Sequence, residues 1–242
     1  MIYRIVLKYF PRLLRRRSRQ DILRLSDGLL YLLRSGCQWR MLPDKYPPWW
    51  RVYRFFQQIT SIGLPDRLVS IMHFKSGTDL TKVFVDSQSV KWGVFGSVKG
   101  IDGHKKVKGI KRHIVVDSQG LPLTTVVSNA NADDRRGALQ LFELLIHEGL
   151  RIQDVVADKG YSGKSLADSL ANIGIAIECV KPNIPATGFV PGAGRWVVER
   201  TFAWFDHWRR LCRNYETLHR TARGMAMIDC AAMIAARLSK AG

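Results

Sequence analysis

Acidic residues are scarce in this 242-residue chain, which has 20 Asp and Glu against 38 Lys and Arg and a formal net charge of +18. So large an excess of positive charge in a globular chain usually meets a polyanion, and nucleic acid is the first candidate. An anionic membrane surface is the second candidate, but no stretch reads as a helix with one clean basic face. The remaining alternative is a basic surface that only faces solvent.

Cysteine is also sparse and shows no metal-binding or disulfide pattern. The chain has 4 cysteines, no two of which form a CxxC pair, and they lie scattered in apolar stretches. We therefore expect reduced, buried thiols in a cytoplasmic protein. No apolar run reaches the roughly 18–20 residues that a membrane span needs. The amino-terminal segment has its apolar part before its charges, the reverse of a secretory signal.

The first third of the chain is predicted to be helical. Apolar residues recur at three- to four-residue spacing in ILRLSDGLLYLLRSG, which stops at Gly36. A proline-broken turn leads to a second helical stretch, WWRVYRFFQQIT, and LPDRLVSIMH is predicted as a third, short helix. Residues 1–78 are thus interpreted as a small all-helical domain. Two roles stay open for it: a helix-turn-helix module that binds DNA, or a bundle that only packs.

The pattern changes to strands near residue 80. TKVFVDSQSV, HIVVDS and LPLTTVVSNA read as three strands, with a Gly- and Lys-rich loop before the second and a hairpin at Gln119-Gly120 before the third. Helices and strands then alternate: a helix over 133–149 capped by Asp133 or Asp134, a strand over 154–158, a helix that stops at Gly174, a strand over 175–180, one helix over 195–216 and a final apolar helix. Residues 79–242 are therefore predicted to form an α/β domain, an RNase H-like mixed sheet flanked by helices.

Three acidic residues stand out by their positions in this order of elements. Asp86 follows the apolar run VFV, Asp158 ends the predicted strand DVVAD, and Glu199 lies among aromatic residues on the predicted helix over 195–216. The carboxyl ends of strands are the usual place for a site in such sheets. Mg²⁺ and Mn²⁺ prefer carboxylate oxygens, and two such ions can hold the attacking and leaving oxygens of a phosphoryl transfer. We therefore regard these acids as candidate metal ligands.

Each of the three acids also has a purely structural alternative. Asp86 is placed to close a turn with Ser87 or Ser89, Asp158 to form an Asx turn before Gly160, and Glu199 to pair with Arg195 one helical turn earlier. Two further aspartates are assigned structural roles only. Asp117 opens the hairpin turn, and Asp154 starts a strand.

Two basic segments lie near these acids in the sequence, HKKVKGIKRH over 104–113 and RRLCRNYETLHR over 209–220. We predict that their cations neutralise DNA phosphates beside the site, which makes binding strongly dependent on salt. An ordinary solvated loop is the alternative for each segment. The predicted phosphate contacts are Lys105, Lys106, Lys108, Lys111, Arg112, Arg209, Arg210 and Arg213.

Several motifs together carry a resemblance to a known family. They are VFVDSQSVK, GHKKVKGIKRHIVVDSQGLPL, NADDRRGA, VVADKGYSGK and RWVVERTFAWFDHWRRLCRNYE, in this order along the chain. The chain resembles bacterial insertion-sequence transposases of the DDE class, in the IS-four/IS-five branch, over roughly residues 20–216. DGLLYLLRSGCQWRMLP resembles the amino-terminal helical domain of the same family.

The resemblance implies a catalytic centre and a reaction. It implies an RNase H-like core in which Asp86, Asp158 and Glu199 hold two Mg²⁺ ions, with Mn²⁺ as a substitute. The implied reaction is metal-dependent cleavage of phosphodiesters at the transposon ends, followed by strand transfer of the 3′-OH into target DNA. Arg195 matches the arginine of the Tyr–Arg–Glu–Lys signature of the family and is a further predicted contact with DNA. Gly192 and Asp206 stand where the signature has its tyrosine and its lysine.

The resemblance also implies partners and a location. The expected partner is double-stranded DNA, as the terminal inverted repeats of the element and as the target, with no membrane. A homodimer is expected in the synaptic complex because two ends must be held together, and the location is the bacterial cytoplasm, at the nucleoid. The first twenty residues offer a shorter helical lead-in than the family has, which bears on recognition of the ends. Two other functions stay open: a non-catalytic DNA-binding derivative and a metal-dependent nuclease without strand transfer.

Overall fold

The computed structural model describes residues 17–93, 100–180 and 195–239, with Arg195 described through its backbone alone. Between residues 17 and 81, three α-helices precede the first strand: α1 (Arg19–Ser35), α2 (Trp49–Ser61) and α3 (Leu64–Ser76). The hydroxyl of Ser18 accepts a hydrogen bond from the backbone N–H of Asp21, which caps α1. Gly36 ends α1 in a left-handed conformation with φ of 70°, at the residue where the sequence predicted the stop.

Strands and helices then follow in nearly the predicted order. The strands of the described segments are β1 (Lys82–Lys91), β2 (Ile101–Asp102), β3 (Val107–Val116), β4 (Pro122–Asn129), β5 (Asp154–Ala157) and β6 (Ala176–Cys179). The later helices are α4 (Asp134–His147), α5 (Lys164–Ala171), α6 (Arg195–Asp206) and α7 (His219–Leu238). The β3–β4 hairpin turns at Gly120, where φ is 79°. Asp117 holds this turn because its carboxylate accepts the N–H groups of Gln119 and Leu121.

The sheet is mixed, and its strand order confirms the predicted fold class. β1 pairs antiparallel with β3, and β3 pairs antiparallel with β4. On the other side, β5 is parallel to β1 and β6 is parallel to β5. The short β2 forms a hairpin with the start of β3. Three antiparallel strands followed by two parallel strands joined through helices form the RNase H-like arrangement.

The two faces of the sheet are covered by different helices. Alternate residues of β1 point to opposite faces, so Val83 and Val85 pack with α4 and α5, whereas Phe84 packs on the other face. That second face holds one continuous hydrophobic cluster with residues from α1, α2, α3, α6 and α7. The amino-terminal helices therefore share a core with α6 and α7.

The stretch over 195–216 is not one helix, which corrects the sequence prediction. α6 ends at Asp206, and turns follow it. The N–H of Arg210 donates to the carbonyl of Leu33 at 3.0 Å, and the N–H of Asn214 donates to the carbonyl of Lys91 at 2.9 Å. Because these N–H groups bond to other elements, they do not donate to the carbonyls four residues earlier, as a continuing helix would require. Apolar periodicity does not report such bonds.

The basic segment over 104–113 is mostly strand, where the sequence predicted a loop until His113. β3 already begins at Val107 and pairs with β1 on one side and β4 on the other. The preceding turn is tied by Asp102, whose carboxylate accepts the N–H groups of His104 and Lys105, both at 3.0 Å. Because β3 lies inside the sheet, several of its cations are buried, with consequences for the predicted DNA contacts.

The four cysteines are free thiols, but they are not uniformly buried. Cys230 is buried, Cys37 and Cys179 are partly exposed, and Cys212 is exposed, so the expectation of buried thiols holds fully for Cys230 alone. Across residues 17–93, 100–180 and 195–239, no helix is long and apolar enough to cross a membrane.

Candidate active site

Asp86 lies within β1 and shares a face with Phe84, two residues earlier. Its residue partner across β3 is Ile114. The backbone N–H of Ser87 donates to Asp86 Oδ1 at 2.7 Å. This bond orients the half-buried carboxylate from within a regular strand, so the alternative of Asp86 closing a turn does not describe its position.

Asp158 follows β5 directly and starts a short 3₁₀ turn, Lys159–Tyr161. Its Oδ1 accepts the N–H of Gly160 at 2.8 Å, so the Asx turn considered for this residue is present. The bond occupies one acceptor site of a carboxylate that has about four. The Asx turn and a metal-binding role for Asp158 are therefore compatible.

The register of two parallel strands brings Asp86 and Asp158 together. Phe84 pairs with Val156 in the parallel register of β1 and β5, and each aspartate lies two residues further along its own strand direction. The two aspartates line one small cleft, together with Val198 of α6. The sheet thus gathers the two strand acids beside the helix that carries the third.

Glu199 follows Val198 on α6, and its side chain is exposed. Among the residues that the structure describes, no three His, Cys, Asp or Glu side chains lie close enough together to hold one metal ion. The structure therefore brings two of the predicted ligands into one cleft and leaves Glu199 on the surface of the adjacent helix. Its role as a metal ligand stays a prediction.

The aromatic residues of α6 contact an arginine. The guanidinium of Arg200 lies 4.6 Å from the centroid of the Trp196 ring and 5.0 Å from that of Trp204. Arg200 also donates to the carbonyl of Gln119 in the β3–β4 turn. Thr201 adds a hydrogen bond to the carbonyl of Gly120 at 2.6 Å. These contacts fix α6 against the turn on the face of the sheet that carries Asp86.

Two functional candidates were missed by the sequence reasoning. Asp134, considered only as a helix cap, accepts a hydrogen bond from the hydroxyl of Ser87 at 2.7 Å, while Asp133 caps α4. Tyr161 is buried, and burial together with the nearby charges of Asp86 and Asp134 raises the pKa of its phenol well above its ordinary value. The available signals were their places in the NADDRRGA and VVADKGYSGK motifs.

The exposed basic residues lie where DNA can reach them. Lys105, Lys106, Lys108, Arg209 and Arg213 are exposed. The ammonium of Lys105 donates to the carbonyl of Ser87 at 3.2 Å, which places a cation next to the residue that follows Asp86 in the chain. The predicted contact from the side chain of Arg195 falls outside what the structure describes.

Three predicted DNA contacts are instead inside the protein: Lys111, Arg112 and Arg210 are 7%, 3% and 8% exposed. Lys111 donates to the carbonyl of Ala132 at 2.9 Å. Arg112 donates to the carbonyl of Leu211, and burial lowers the pKa of its guanidinium. These buried positions do not support contacts with phosphate. Lys111 and Arg112 are buried because β3 lies inside the sheet, and Arg210 is buried because it bonds to a distant segment of the chain.

Arg210 shows the same behaviour after α6. Its guanidinium donates to the carboxylate of Glu216 at 2.7 and 3.1 Å and to the carbonyl of Cys37 at 3.3 Å. It therefore joins the segment after α6 to the segment after α1.

Comparison with known families decides the class of this chain. The sequence model described as "Transposase DDE domain" matches residues 77–234, which is more than half of the chain. The chain belongs to the DDE transposase domain family. A second model, described as "Putative transposase of IS4/5 family", matches residues 2–69. The family identified from the motifs, insertion-sequence transposases of the DDE class, is confirmed.

Individual relatives of this DDE transposase domain chain are more distant or partial. A protein of Burkholderia cepacia, described as "Putative transposase for insertion sequence element IS402", is 35% identical over 119 residues, which are 45% of this chain and 54% of the relative. The chain thus spans about half the length of this curated relative.

Solved structures that match this chain include two catalytic domains, both at 12% identity. The catalytic core domain of BIV integrase has a TM-score of 0.39 and covers 61% of this chain and 82% of its own. The catalytic domain of Mos1 mariner transposase has a TM-score of 0.31 and covers 74% and 94%.

Proposed function

We propose that this chain is the DNA transposase of an insertion sequence, which cleaves phosphodiesters at the ends of its element and joins the freed 3′-OH to target DNA. The observation that carries the proposal is the cleft where the parallel register of β1 and β5 places Asp86 beside Asp158. In a chain of the DDE transposase domain family, two such strand acids next to a helix with a third acid fit phosphoryl transfer better than a purely structural role.

The donor set of this cleft suits a hard divalent cation. Asp86 and Asp158 are half-buried carboxylates whose Oδ1 atoms are already oriented by backbone N–H groups. We propose that they hold two Mg²⁺ ions, for which Mn²⁺ substitutes, with Glu199 as a third ligand. When bound, such ions activate the attacking oxygen and stabilise the charge on the leaving oxygen of the phosphodiester.

The side chains around the cleft bind and orient the DNA. Lys105 is placed to meet the negative charge of a phosphate that approaches Asp86, and Lys106 and Lys108 extend the basic surface away from it. Arg209 and Arg213 offer exposed cations after α6. We propose that these residues, with Arg195, hold the DNA backbone while the carboxylates act at the scissile phosphate.

The proposed partners follow from the reaction. The protein binds the terminal inverted repeats of its element and then the target DNA. Two ends must be held together for transposition, so the working form is a homodimer in the synaptic complex, in the bacterial cytoplasm at the nucleoid. Its charge of +18 provides the long-range attraction to DNA that such an assembly needs.

A cleavage and joining assay tests the proposal. The protein is incubated with a labelled duplex of the element end, Mg²⁺ and a target plasmid, beside the variant Asp86→Asn. We expect cleavage and joining by the wild type, and DNA binding without cleavage by the variant. Cleavage without joining would indicate a nuclease, binding alone would indicate a non-catalytic derivative, and full activity of Asp86→Asn would reject the site.

A further inference from the structure

The first turn of α4 reaches the strand that carries Asp86. Asp134 Oδ1 accepts a hydrogen bond from the hydroxyl of Ser87 at 2.7 Å. The backbone N–H of the same Ser87 donates to Asp86 Oδ1, also at 2.7 Å. Asp134 therefore holds the residue whose amide orients the first of the two strand acids.

The other oxygen of Asp134 faces the turn that orients the second strand acid. The N–H of Gly160 donates to Asp158 Oδ1 at 2.8 Å. A Cβ atom added to Gly160 would lie 3.9 Å from Asp134 Oδ2 and 3.0 Å from Asp158 Oδ1. One carboxylate of α4 thus lies between the two backbone segments that set the positions of Asp86 and Asp158.

The protein itself balances the charge of Asp134. The ammonium of Lys111 lies 3.2 Å from Asp134 Oδ1. The ring of His113, whose pKa burial lowers to about 4, lies 3.7 Å from the same oxygen and is neutral at physiological pH. With its charge met by a buried lysine and its oxygen bonded to a serine, Asp134 is suited to positioning other groups and not to metal ligation.

The phenol of Tyr161 is an independent sign that this region is organised around the acids. Its side chain is 1% exposed, and its hydroxyl lies near that of Ser87. Burial raises the pKa of this phenol most, and the nearby charges of Asp86, Asp134 and Asp158 raise it further.

We propose that Asp134 is a positioning residue of the candidate active site. By bonding the hydroxyl of Ser87 and packing beside the Gly160 turn, it sets the spacing of Asp86 and Asp158 and, through it, the affinity of the cleft for a divalent cation. Groups that orient the ligands of a metal commonly change metal affinity 10- to 100-fold when they are lost. The proposal rests on the proposed function, because it takes these aspartates as ligands.

Mn²⁺ binding to the full-length protein, measured from the electron paramagnetic resonance signal of free Mn²⁺, tests the proposal without relying on activity. Asp134→Ala should raise the dissociation constant about tenfold. Asp134→Asn should retain most of the affinity, because its amide oxygen still accepts from Ser87. Ser87→Ala removes the same hydrogen bond from the other partner and should reproduce the loss, which keeps the test available if Asp134→Ala folds poorly.

The matched control is Asp133→Ala, which removes the α4 cap one residue away. It should lower the melting temperature and leave the dissociation constant for Mn²⁺ unchanged. The positioning role is overturned if Asp134→Ala and Ser87→Ala bind Mn²⁺ like the wild type, whatever their melting temperatures. If instead the wild type binds no Mn²⁺, or Asp86→Asn binds it equally well, the proposed site itself fails, and the inference fails with it.

Discussion

The strand acids and the helix acid of the candidate site are held in different ways. Asp86 and Asp158 are half-buried, and each accepts a hydrogen bond from the backbone N–H of a residue close to it in sequence. The register of β1 and β5 sets the two aspartates side by side. Glu199 is exposed on α6, beside the cleft that they line. The sheet therefore organises two of the three predicted ligands in advance, and the placement of the third depends on how α6 is seated.

The same contrast divides the basic residues near the site. Arg210 is buried and bonded to Glu216, whereas the preceding Arg209 is exposed. Lys111 and Lys108 lie on the same strand, the first buried and the second exposed. Within one motif, some basic side chains therefore bond inside the protein, whereas others close to them in sequence are exposed.

The largest expected effect comes from a strand acid. Asp158→Asn keeps an oxygen that accepts the N–H of Gly160 but removes the charge, so cleavage should fall about a thousandfold, since metal-assisted stabilisation is worth several kcal/mol. Cleavage of a labelled element end measures the effect. Asp154→Asn, at the exposed start of the same strand, is the control and should cleave normally. Equal rates for the two variants would remove Asp158 from the site.

A substitution of Glu199 tests the contrast between the strand acids and the helix acid. Glu199→Gln should lower cleavage, but it should weaken Mn²⁺ binding less than Asp158→Asn does, because an exposed carboxylate adds little to a preformed set of ligands. The two quantities are measured on the same preparations, with Asp206→Asn at the exposed end of α6 as control. If Glu199→Gln weakens Mn²⁺ binding as strongly as Asp158→Asn, the three acids already act as one set, and the contrast between strand and helix is wrong.

Arg210→Met tests the contrast between the buried Arg210 and the exposed Arg209. The substitution leaves Glu216 buried and unpaired, so the free energy of unfolding should fall by about 3 kcal/mol or more. Arg209→Met, one residue earlier and exposed, should stay within about 0.5 kcal/mol of the wild type. Urea titration measures both. A large loss in Arg209→Met alone would reverse the assignment of the two side chains.

The order of elements and the meeting of Asp86 with Asp158 were predictable from the sequence. Short apolar runs separated by helical patterns indicate neighbouring parallel strands, because the helix between them returns the chain to the end of the sheet where the previous strand began. Asp158 follows the end of its run, whereas Asp86 lies within β1 and comes level with Asp158 because the two strands run parallel. The register of β1 and β5 turned this expectation into a shared cleft.

The end of α6 and the burial of the β3 cations were not predictable. α6 ends at Asp206, and four residues later the N–H of Arg210 donates to the carbonyl of Leu33, in a distant part of the chain. Lys111 is buried because Asp134 and the carbonyl of Ala132 receive its ammonium. Periodicity and charge counts describe a residue together with its close neighbours in sequence, so partners brought in by the fold remain invisible to them.

Acid should destabilise the protein through His113. Burial lowers its pKa to about 4 from the ordinary 6.5, so between these values the unfolded chain binds the proton more readily than the folded one. Stability should therefore fall as pH decreases from about 6.5 to 4, by about 2 kcal/mol at pH 5. His113→Gln should flatten this slope in urea titrations, whereas exposed His147→Gln should not. An unchanged slope in His113→Gln would exclude this histidine as the cause.

The smallest expected effect separates the two lysines of β3. Lys108→Gln removes one exposed cation, so the slope of log affinity for duplex DNA against log salt should become less steep by about 0.9. Lys111→Gln should leave that slope unchanged and lower the melting temperature instead, because the ammonium of Lys111 is bonded to Asp134 inside the protein. Fluorescence anisotropy over a salt series measures both. A similar loss of slope in Lys111→Gln would mean that DNA reaches this lysine, and that the exposed and buried charges of the strand act on one partner.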